Sequence, residues 1–285
     1  MASQYIDAHQ HFWHYDPAKH LWMSEKMGIL KKDYLPTDLE PLLKNSGLGG
    51  CVAVQANQAE EENTFLLALA EKHDFIKGIV GWVDLQSPNV EERLAYYSQF
   101  SKIKGFRHVL HDESDINFML RPAFLKGISL LKKYGFTYDV LIFPNHLSNT
   151  LKLVKAFPEQ PFVIDHIAKP PIKKGTISVG IPSEKQWQKA LKAVADHKNV
   201  SCKISGMVTE ADWTHWQQAD FTPYIDAVVE LFGIDRIMYG SDWPVCTLAA
   251  TYEKQFAIVK HHFSTLSETE QEKFFGGNAI QFYNL

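Results

Sequence analysis

The sequence predicts an α/β protein of one domain, a (β/α)8 TIM barrel that spans residues 1–285. Short apolar stretches of strand length alternate with longer amphipathic stretches along the whole chain. The strands are apolar on both faces, which indicates parallel pairing beneath helices, and eight such units in about 250 residues match the size of this barrel. A doubly wound open sheet is the alternative, but no strand is followed by the glycine-rich loop typical of that fold.

The predicted strands and helices follow one another in a regular order, and no change in composition marks a second domain. The strands cover residues 6–11, 50–55, 78–84, 103–109, 136–143, 162–167, 200–205 and 236–240. The helices cover residues 37–47, 60–73, 89–100, 122–134, 146–157, 183–197, 222–232 and 251–262, with one more from residue 267 onward. Two long loops are predicted, an aromatic one at residues 12–32 and a polar one at residues 169–182.

Two of the helices have a recognisable first turn. Thr37 with Glu40, and Ser267 with Glu270, have the spacing of a capping box. In that motif a hydroxyl and a carboxylate satisfy the free amides of the first turn. We therefore expect helices to begin at these two places.

Composition and charge exclude several classes of protein. With 29 Lys and Arg against 33 Asp and Glu, the formal net charge is −4, so the chain has no basic field for nucleic acid. Its apolar runs are far shorter than the roughly 20 residues that span a bilayer, and the N-terminus lacks the pattern of an export signal. We expect a cytoplasmic protein with a small-molecule partner and no membrane or nucleic-acid partner. A homo-oligomer is compatible with this.

Polar side chains stand at the carboxyl end of nearly every predicted strand. His9 and His11 project from one face of the first strand, because side chains alternate with period two. The carboxyl ends of barrel strands meet on one side, where the active sites of such barrels lie. An alternative for Asp84, Asp139 and Lys203 is a structural ion pair across the barrel mouth. In chain order the strand ends carry His9, His11, Gln55, Asp84, Arg107, His108, Asp139, His166 and Asp242.

These residue types together predict hydrolysis of a carbonyl compound. An ionised Asp242 can accept a proton from water as a general base. Imidazoles at His9, His11 and His166 can polarise the carbonyl directly. The three rings and Asp242 can also form the ligand set of one divalent ion that does the same. The residues alone leave both kinds of electrophile open.

The motifs at these strand ends resemble those of the lactonase branch of the amidohydrolase superfamily. The resemblance covers essentially the whole chain, and the branch consists of (β/α)8 barrels that open lactone rings, among them L-fuconolactonases, L-rhamnonolactonases and pyrone-dicarboxylate lactonases. The matching segments are His9-Gln10-His11, Gly105-Phe106-Arg107, Asp165-His166-Ile167-Ala168-Lys169-Pro170, Lys203-Ile204-Ser205-Gly206, Tyr239-Gly240-Ser241-Asp242-Trp243-Pro244 and Gly277-Asn278-Ala279-Ile280-Gln281-Phe282-Tyr283.

The resemblance implies roles for five residues. Asp242 would activate the hydrolytic water, His9, His11 and His166 would polarise the lactone carbonyl, and Arg107 would bind substrate oxygens. No lysine stands at the end of the fourth strand to be carboxylated and bridge two metals, so a binuclear centre is not implied. Members of the branch work without a metal or with one ion. The resemblance therefore implies either no required cofactor or one divalent cation, with zinc as the expected ion, held by the three histidines and Asp242.

The side chains at the strand ends also predict the kind of lactone. A pyrone dicarboxylate needs several arginines, because planar guanidinium groups bind carboxylates through paired hydrogen bonds, and Arg107 is the one arginine at a predicted strand end. Amides, carboxylates and tryptophans suit the hydroxyls and the apolar face of a sugar. We therefore expect an aldonolactone such as L-fuconolactone or L-rhamnonolactone, and a role in carbohydrate catabolism. The candidate substrate-binding residues are Arg107, Gln55, Asp84, His108, Asp139 and Trp243.

Three alternatives to a sugar lactonase remain open from the sequence. One is a lactonase of the pyrone-dicarboxylate type. A metal-dependent decarboxylase of the related amidohydrolase branch would share the barrel, the paired histidines and the aspartate, but it would need a tightly held metal. A sugar-binding barrel without activity would keep the aromatic residues and would not need Asp242.

Overall fold

Eight parallel strands form the centre of the molecule in the computed structural model, which describes residues 5–173 and 183–285. They lie side by side in chain order, each hydrogen-bonded to the next, and helices lie between consecutive strands. The predicted (β/α)8 TIM barrel is therefore confirmed. The strands are β1 (Ile6–Gln10), β2 (Gly50–Val54), β3 (Ile76–Gly81), β4 (Ile103–Val109), β5 (Thr137–Leu141), β6 (Phe162–Ile164), β7 (Val200–Ile204) and β8 (Ile237–Tyr239).

The helices of the described residues surround the strands, and several bury an apolar stripe against them, as amphipathic helices do. Short 3-10 turns connect many of them to the strands. The α-helices are α1 (Pro36–Ser46), α2 (Glu60–Lys72), α3 (Val90–Tyr97), α4 (Pro122–Leu131), α5 (Leu147–Ala156), α6 (Glu184–Ala195), α7 (Met207–Glu210), α8 (Gln218–Phe232), α9 (Tyr252–His262), α10 (Glu268–Glu272) and α11 (Asn278–Tyr283).

The two predicted capping boxes have different outcomes. The one at Ser267 is confirmed, because the backbone amide of Glu270 donates to the Ser267 hydroxyl and the Glu270 carboxylate accepts from the backbone of Ser267 at 3.0 Å. The one at Thr37 is wrong. Helix α1 begins at Pro36, whose missing amide suits a first helical position. The Asp38 carboxylate accepts a hydrogen bond from the backbone amide of Leu35, the residue before the helix, at 2.8 Å.

Strands β1 and β8 approach each other where the barrel closes. The amide of Asp242 donates to the carbonyl of His9 at 2.8 Å, and the amide of His11 donates to the carbonyl of Trp243 at 2.7 Å. The close approach needs a glycine, since a Cβ on Gly240 would lie 2.6 Å from the Cβ of His9. Barrel closure thereby places the paired histidines against the aspartate of the Gly-Ser-Asp-Trp-Pro element.

The core has two parts. A large cluster of apolar side chains fills the space between strands and helices. A smaller cluster lies inside the barrel, where Ala279 and Tyr283 of α11 pack with apolar residues of the strands, among them Ala8, Val52 and Met238. The polar residues of the barrel interior lie beyond this cluster, toward the carboxyl ends of the strands. No helix within residues 5–173 and 183–285 is long and apolar enough to cross a membrane.

The loop after β1 is irregular, as predicted for residues 12–32, apart from a 3-10 helix at Glu25–Leu30. Trp13 stabilises this loop through two hydrogen bonds between its backbone and that of Tyr34. Its indole also donates a hydrogen bond to the carbonyl of Lys32 at 2.9 Å. The predicted polar loop at 169–182 is described only as far as Lys173, and its residues 174–182 lie outside the described part of the chain.

Candidate active site

A cavity of about 320 Å³ opens at the carboxyl ends of the strands. This is the end of the barrel where the sequence predicts the site, and the volume is enough for a small ligand. The wall combines indole, thioether and aliphatic side chains with charged ones. The lining residues are His11, Trp13, Trp22, Met27, Ala56, Arg107, Val109, His111, Asp112, Leu141, His166, Lys169, Thr209, Glu210, Trp213, Asp242, Val245 and Leu248.

Asp242 lies at the centre of the predicted catalytic group. Its Oδ1 is 3.4 Å from Nε2 of His11, 3.8 Å from Nε2 of His166 and 3.9 Å from Nε2 of His9. All four side chains are buried. The structure therefore brings together four predicted residues, of which His9 lies on β1 and the other three follow β1, β6 and β8. His11, His166 and Asp242 reach the cavity wall, whereas His9 lies behind it.

Two of these residues have an unusual backbone. Asp242 has φ of 58° and His166 has φ of 53°, both in the left-handed region. Such a conformation costs a residue with a side chain roughly 1–2 kcal/mol, and it turns the chain sharply at the end of a strand. Strained residues of this kind cluster at functional sites. The turns aim both side chains at the cavity instead of the helical layer.

Hydrogen bonds to the outer ring nitrogens orient His11 and His166. Nδ1 of His11 lies 2.8 Å from the carbonyl of Val54, which only accepts, so Nδ1 carries the proton. In the neutral ring Nε2 then presents a lone pair to the Asp242 carboxylate. Nδ1 of His166 lies 2.8 Å from the Ser205 hydroxyl, which can donate or accept. The His166 ring fits beside Ser205 because the residue after Ser205 is Gly206. A Cβ at Gly206 would lie 2.5 Å from Nδ1 of His166.

Burial controls the charge of these groups. It holds the pKa of His9 well below its ordinary value despite the nearby Asp165, and it does the same to His166 despite Asp242. Burial acts to raise the pKa of the Asp242 carboxyl, but the neighbouring His166 and His11 rings outweigh it and keep the pKa below its ordinary value. At neutral pH the site therefore holds an ionised Asp242 carboxylate beside the neutral imidazoles of His9 and His166.

The donor set fits one divalent cation. A ligand atom from each of His9, His11 and Asp242 lies within 4.8 Å of the others, and the same holds for His9, Asp165 and His166. Two imidazoles and a carboxylate are a ligand set that zinc accepts. The lone pair of His11 Nε2 faces a carboxylate oxygen, an arrangement that a cation or a proton between the two atoms would satisfy.

A network of buried charges supports His9 from behind. Arg107 donates to Asp165 at 3.1 Å and to the carbonyl of Gln55 at 2.6 Å. Lys203 is fully buried, contacts Asp165 at 3.0 Å and donates to Asp139. Asp139 and Lys203 therefore form the structural ion pair that the sequence offered as an alternative. Two cations and two carboxylates balance, as buried charges must.

The predicted substrate-binding residues are placed differently from one another. Arg107 lines the cavity, but the other five do not. Gln55 and Asp139 are buried in the barrel below it, and Asp84 is exposed and accepts from the amide of Gln86. His108 hydrogen-bonds Glu113 at 2.7 Å and stacks on Phe118, and Trp243 packs against Phe12 and Tyr34.

Several lining residues were not singled out as site candidates from the sequence. Lys169 forms an ion pair with Glu210 at 2.7 Å, and Nδ1 of His111 lies 2.7 Å from a carboxylate oxygen of Asp112. Lys169 belongs to a motif that carried the resemblance, but nothing in the motif indicates which way its side chain points. Glu210 ends the short helix α7, which no periodic pattern predicts. The three-dimensional path of the loops after β4, β6 and β7 brings these residues together.

Comparisons with known proteins agree with this geometry. A family model described as amidohydrolase matches residues 6–285. The chain belongs to the amidohydrolase family. This amidohydrolase is 38% identical over 291 aligned residues to an L-fucono-1,5-lactonase of Burkholderia multivorans, covering 100% of this chain and 97% of that one. It is 34% identical to an L-fucono-1,5-lactonase of Burkholderia ambifaria, covering 98% and 95%. The resemblance found from the sequence is thus confirmed.

A solved structure extends the comparison to three dimensions. The crystal structure of an amidohydrolase from Burkholderia multivorans with bound zinc has a TM-score of 0.93 and 38% sequence identity to this amidohydrolase, and the match covers 99% of each chain. The strands that carry the candidate site therefore lie in a framework that this zinc-bound relative shares.

Proposed function

We propose that this amidohydrolase opens the ring of a sugar lactone, such as L-fucono-1,5-lactone, by hydrolysis. The observation that carries the proposal is the approach of three imidazole Nε2 atoms to one carboxylate oxygen of Asp242, at 3.4–3.9 Å, at a cavity on the carboxyl side of the barrel. The similarity to the two L-fucono-1,5-lactonases of Burkholderia supports it. The enzyme would be a carboxylic ester hydrolase.

In this proposal Asp242 moves the proton. Its ionised carboxylate takes a proton from a water molecule as the water oxygen forms a bond to the lactone carbonyl carbon. The bond between that carbon and the ring oxygen then breaks, and the proton passes from Asp242 to the ring oxygen, which becomes a hydroxyl. The product is an open-chain aldonic acid, which releases a proton to solvent at neutral pH.

The histidines stabilise the charge that develops on the carbonyl oxygen. When Ser205 donates to Nδ1 of His166, the proton of that ring is on Nε2, which can donate to the oxyanion in the cavity. His11 cannot donate in its neutral form, because its Nδ1 proton is held by Val54. A divalent cation held by His9, His11 and Asp242, with zinc as the expected ion, would supply Lewis-acid polarisation of the carbonyl when bound.

The charges of the cavity favour a neutral, hydroxylated substrate. The two cationic side chains in its described wall, Arg107 and Lys169, are each paired with a carboxylate, Asp165 and Glu210. No unpaired cation of the described wall is therefore available for a dicarboxylate. Indole rings along the wall suit the apolar face of a sugar ring. These features support an aldonolactone over a pyrone dicarboxylate.

The test is hydrolysis of a panel of lactones, followed by proton release above the uncatalysed rate. The panel contains L-fucono-1,5-lactone, L-rhamnono-1,4-lactone and a pyrone dicarboxylate, each assayed before and after exhaustive chelation with the metal content determined. We expect turnover of at least one sugar lactone and none of the dicarboxylate. Hydrolysis of the dicarboxylate alone, or of no lactone, would contradict the proposal. Loss of activity with the metal, and recovery with zinc, would show that the reaction requires the ion.

A further inference from the structure

A left-handed turn follows β6 and points two side chains into the cavity. Its four consecutive residues, 166–169, all have φ between 49° and 61°, and none is a glycine. The turn is closed by a hydrogen bond from the amide of Lys169 to the carbonyl of His166 at 2.7 Å. The buried indole of Trp187 donates to the carbonyl of Ile167 at 2.9 Å and fixes the turn from the helical side.

The conformation is costly, which indicates that it serves a purpose. Each left-handed residue with a side chain costs roughly 1–2 kcal/mol, and an ordinary helical turn would avoid the cost. The two ends of the turn, His166 and Lys169, both line the cavity. His166 already has a place in the proposed reaction, and Lys169 does not.

Lys169 forms an ion pair inside the cavity. Its ammonium lies 2.7 Å from Oε1 of Glu210, and both side chains are largely buried, with 15% and 20% of their surfaces exposed. The amide of Lys173 donates to the carbonyl of Glu210 at 3.0 Å, which ties the two loops together. Burial acts to lower the pKa of Lys169, but Glu210 and Asp242 outweigh it and raise the pKa, so the side chain is a cation.

We propose that Lys169 and Glu210 form the hydroxyl-recognition pair of this enzyme and determine its preference for polyhydroxylated lactones. The inference rests on the proposed function and goes one step beyond it, from the kind of reaction to the residues that select the substrate. Both residues line the cavity that Asp242 and His166 reach, so a lactone held by Asp242 has this pair beside its ring.

The chemistry of a vicinal diol matches this pair. An ammonium group only donates hydrogen bonds and a carboxylate only accepts them. Two neighbouring ring hydroxyls can therefore accept from Lys169 and donate to Glu210 at once. The pair carries no net charge, so it offers directional hydrogen bonds without attracting an anionic ligand. Hydrogen bonds to charged groups are among the stronger ones in proteins, and a site built for hydroxyls rejects analogues that lack them.

The experiment compares two six-membered lactones that differ in their hydroxyls. L-fucono-1,5-lactone carries them, and δ-valerolactone has none. kcat/KM is measured for the parent enzyme, Lys169→Met, Glu210→Gln and a control, Lys133→Met. Lys133 forms an ion pair with Glu91 on the outer surface of the barrel. The control therefore removes a lysine charge at a position outside the cavity.

We expect each cavity variant to lose about 100-fold in kcat/KM for the hydroxylated lactone, as the loss of a hydrogen bond to a charged group implies, and less than 3-fold for δ-valerolactone. Lys133→Met should match the parent on both. Glu210→Gln should also be inhibited more strongly by the aldonate product, because it leaves the ammonium of Lys169 unpaired.

Two other outcomes overturn the inference. If kcat/KM of the variants falls equally for both lactones, the pair has a structural or catalytic role and does not select hydroxyls. If kcat/KM of the variants equals that of the parent for both lactones, the pair has no part in recognition. A parent enzyme that opens δ-valerolactone and no sugar lactone would instead contradict the proposed function, and the inference with it. The parent and variant measurements therefore separate the two failures.

Discussion

Nη1 of Arg107 lies 3.1 Å from Nε2 of His9, the ring nitrogen that faces Asp242. On the other side of the ring, Nδ1 lies 3.2 Å from the ammonium of Lys203 and 3.3 Å from a carboxylate oxygen of Asp165. A neutral imidazole accepts at one nitrogen only. The consistent assignment puts the proton on Nδ1, on the side of the Asp165 carboxylate, and leaves Nε2 to accept from Arg107. The guanidinium therefore competes with a metal ion for this lone pair of His9.

We predict that Arg107→Met binds zinc more tightly than the parent. The substitution frees Nε2 of His9, and it removes a positive charge about 3 Å from the proposed ligand atom. Charges at such distances interact by several kcal/mol at the effective dielectric of a protein. An increase in zinc affinity of about tenfold or more is expected, measured by titration against a competing chelator.

The control for this prediction is Arg121→Met. Arg121 is partly exposed and pairs with Asp115 away from the cavity, so its removal should leave zinc affinity unchanged. Equal or weaker zinc binding by Arg107→Met would show that the guanidinium does not compete with the ion.

Asp242→Asn should abolish lactone opening while the protein stays folded. A carboxamide is nearly isosteric with the carboxylate but cannot take the proton of the attacking water. General-base contributions are typically 100-fold to 10,000-fold, and we expect a loss in kcat of at least about 1,000-fold. Circular dichroism and urea unfolding of the variant verify the fold. Retention of more than a few per cent of turnover would exclude the role.

Lys203→Met should destabilise the protein strongly. The side chain is fully buried between Asp139 and Asp165, and its removal leaves two buried carboxylates with one fewer cation. Breaking a buried pair in this way costs about 3–5 kcal/mol in the free energy of unfolding. Lys133→Met, which breaks an exposed ion pair, should cost about 1 kcal/mol or less. Urea unfolding of the two variants measures the difference, and similar values for both would contradict the prediction.

The stability should fall on acidification, with part of the effect due to His108. Burial lowers the pKa of His108 below its ordinary value of 6.5, although Glu113 opposes this. Below about pH 6.5 the unfolded chain takes up the proton and the folded protein does not. The free energy of unfolding therefore decreases as the pH falls from 6.5 through the lower folded pKa, by at most about 1.4 kcal/mol per pH unit for one proton.

His108→Gln isolates this contribution. The His108 ring accepts a hydrogen bond from the Trp82 indole at 3.4 Å and hydrogen-bonds Glu113. An amide can replace both hydrogen bonds but does not titrate. Urea unfolding at pH 7.5, 6.5 and 5.5 should show a shallower pH dependence for the variant than for the parent. An unchanged slope would mean that His108 is protonated in the folded protein as readily as in the unfolded chain.

The sequence by itself determined the strand order, the end of the barrel that carries the site, and the group His9, His11, His166 and Asp242. Periodic apolar patterns are local and reveal the strands. In a parallel barrel the carboxyl ends of all the strands meet on one side. The family to which the chain belongs was also readable, because its motifs are runs of neighbouring residues. The helix starting at Pro36 shows the limit of local signals, since the proline overrode an apparent capping box at Thr37.

The tertiary structure alone decided which polar residues reach the cavity. Asp84, Asp139 and Trp243 have the positions of site residues in the sequence, yet one is exposed, one pairs with a buried lysine and one packs in the core. Lys169 and Glu210, 41 residues apart, meet there instead. The physical reason is that the direction of a side chain beyond a strand end depends on the backbone turn, here a left-handed one, which tertiary contacts hold in place against its local preference.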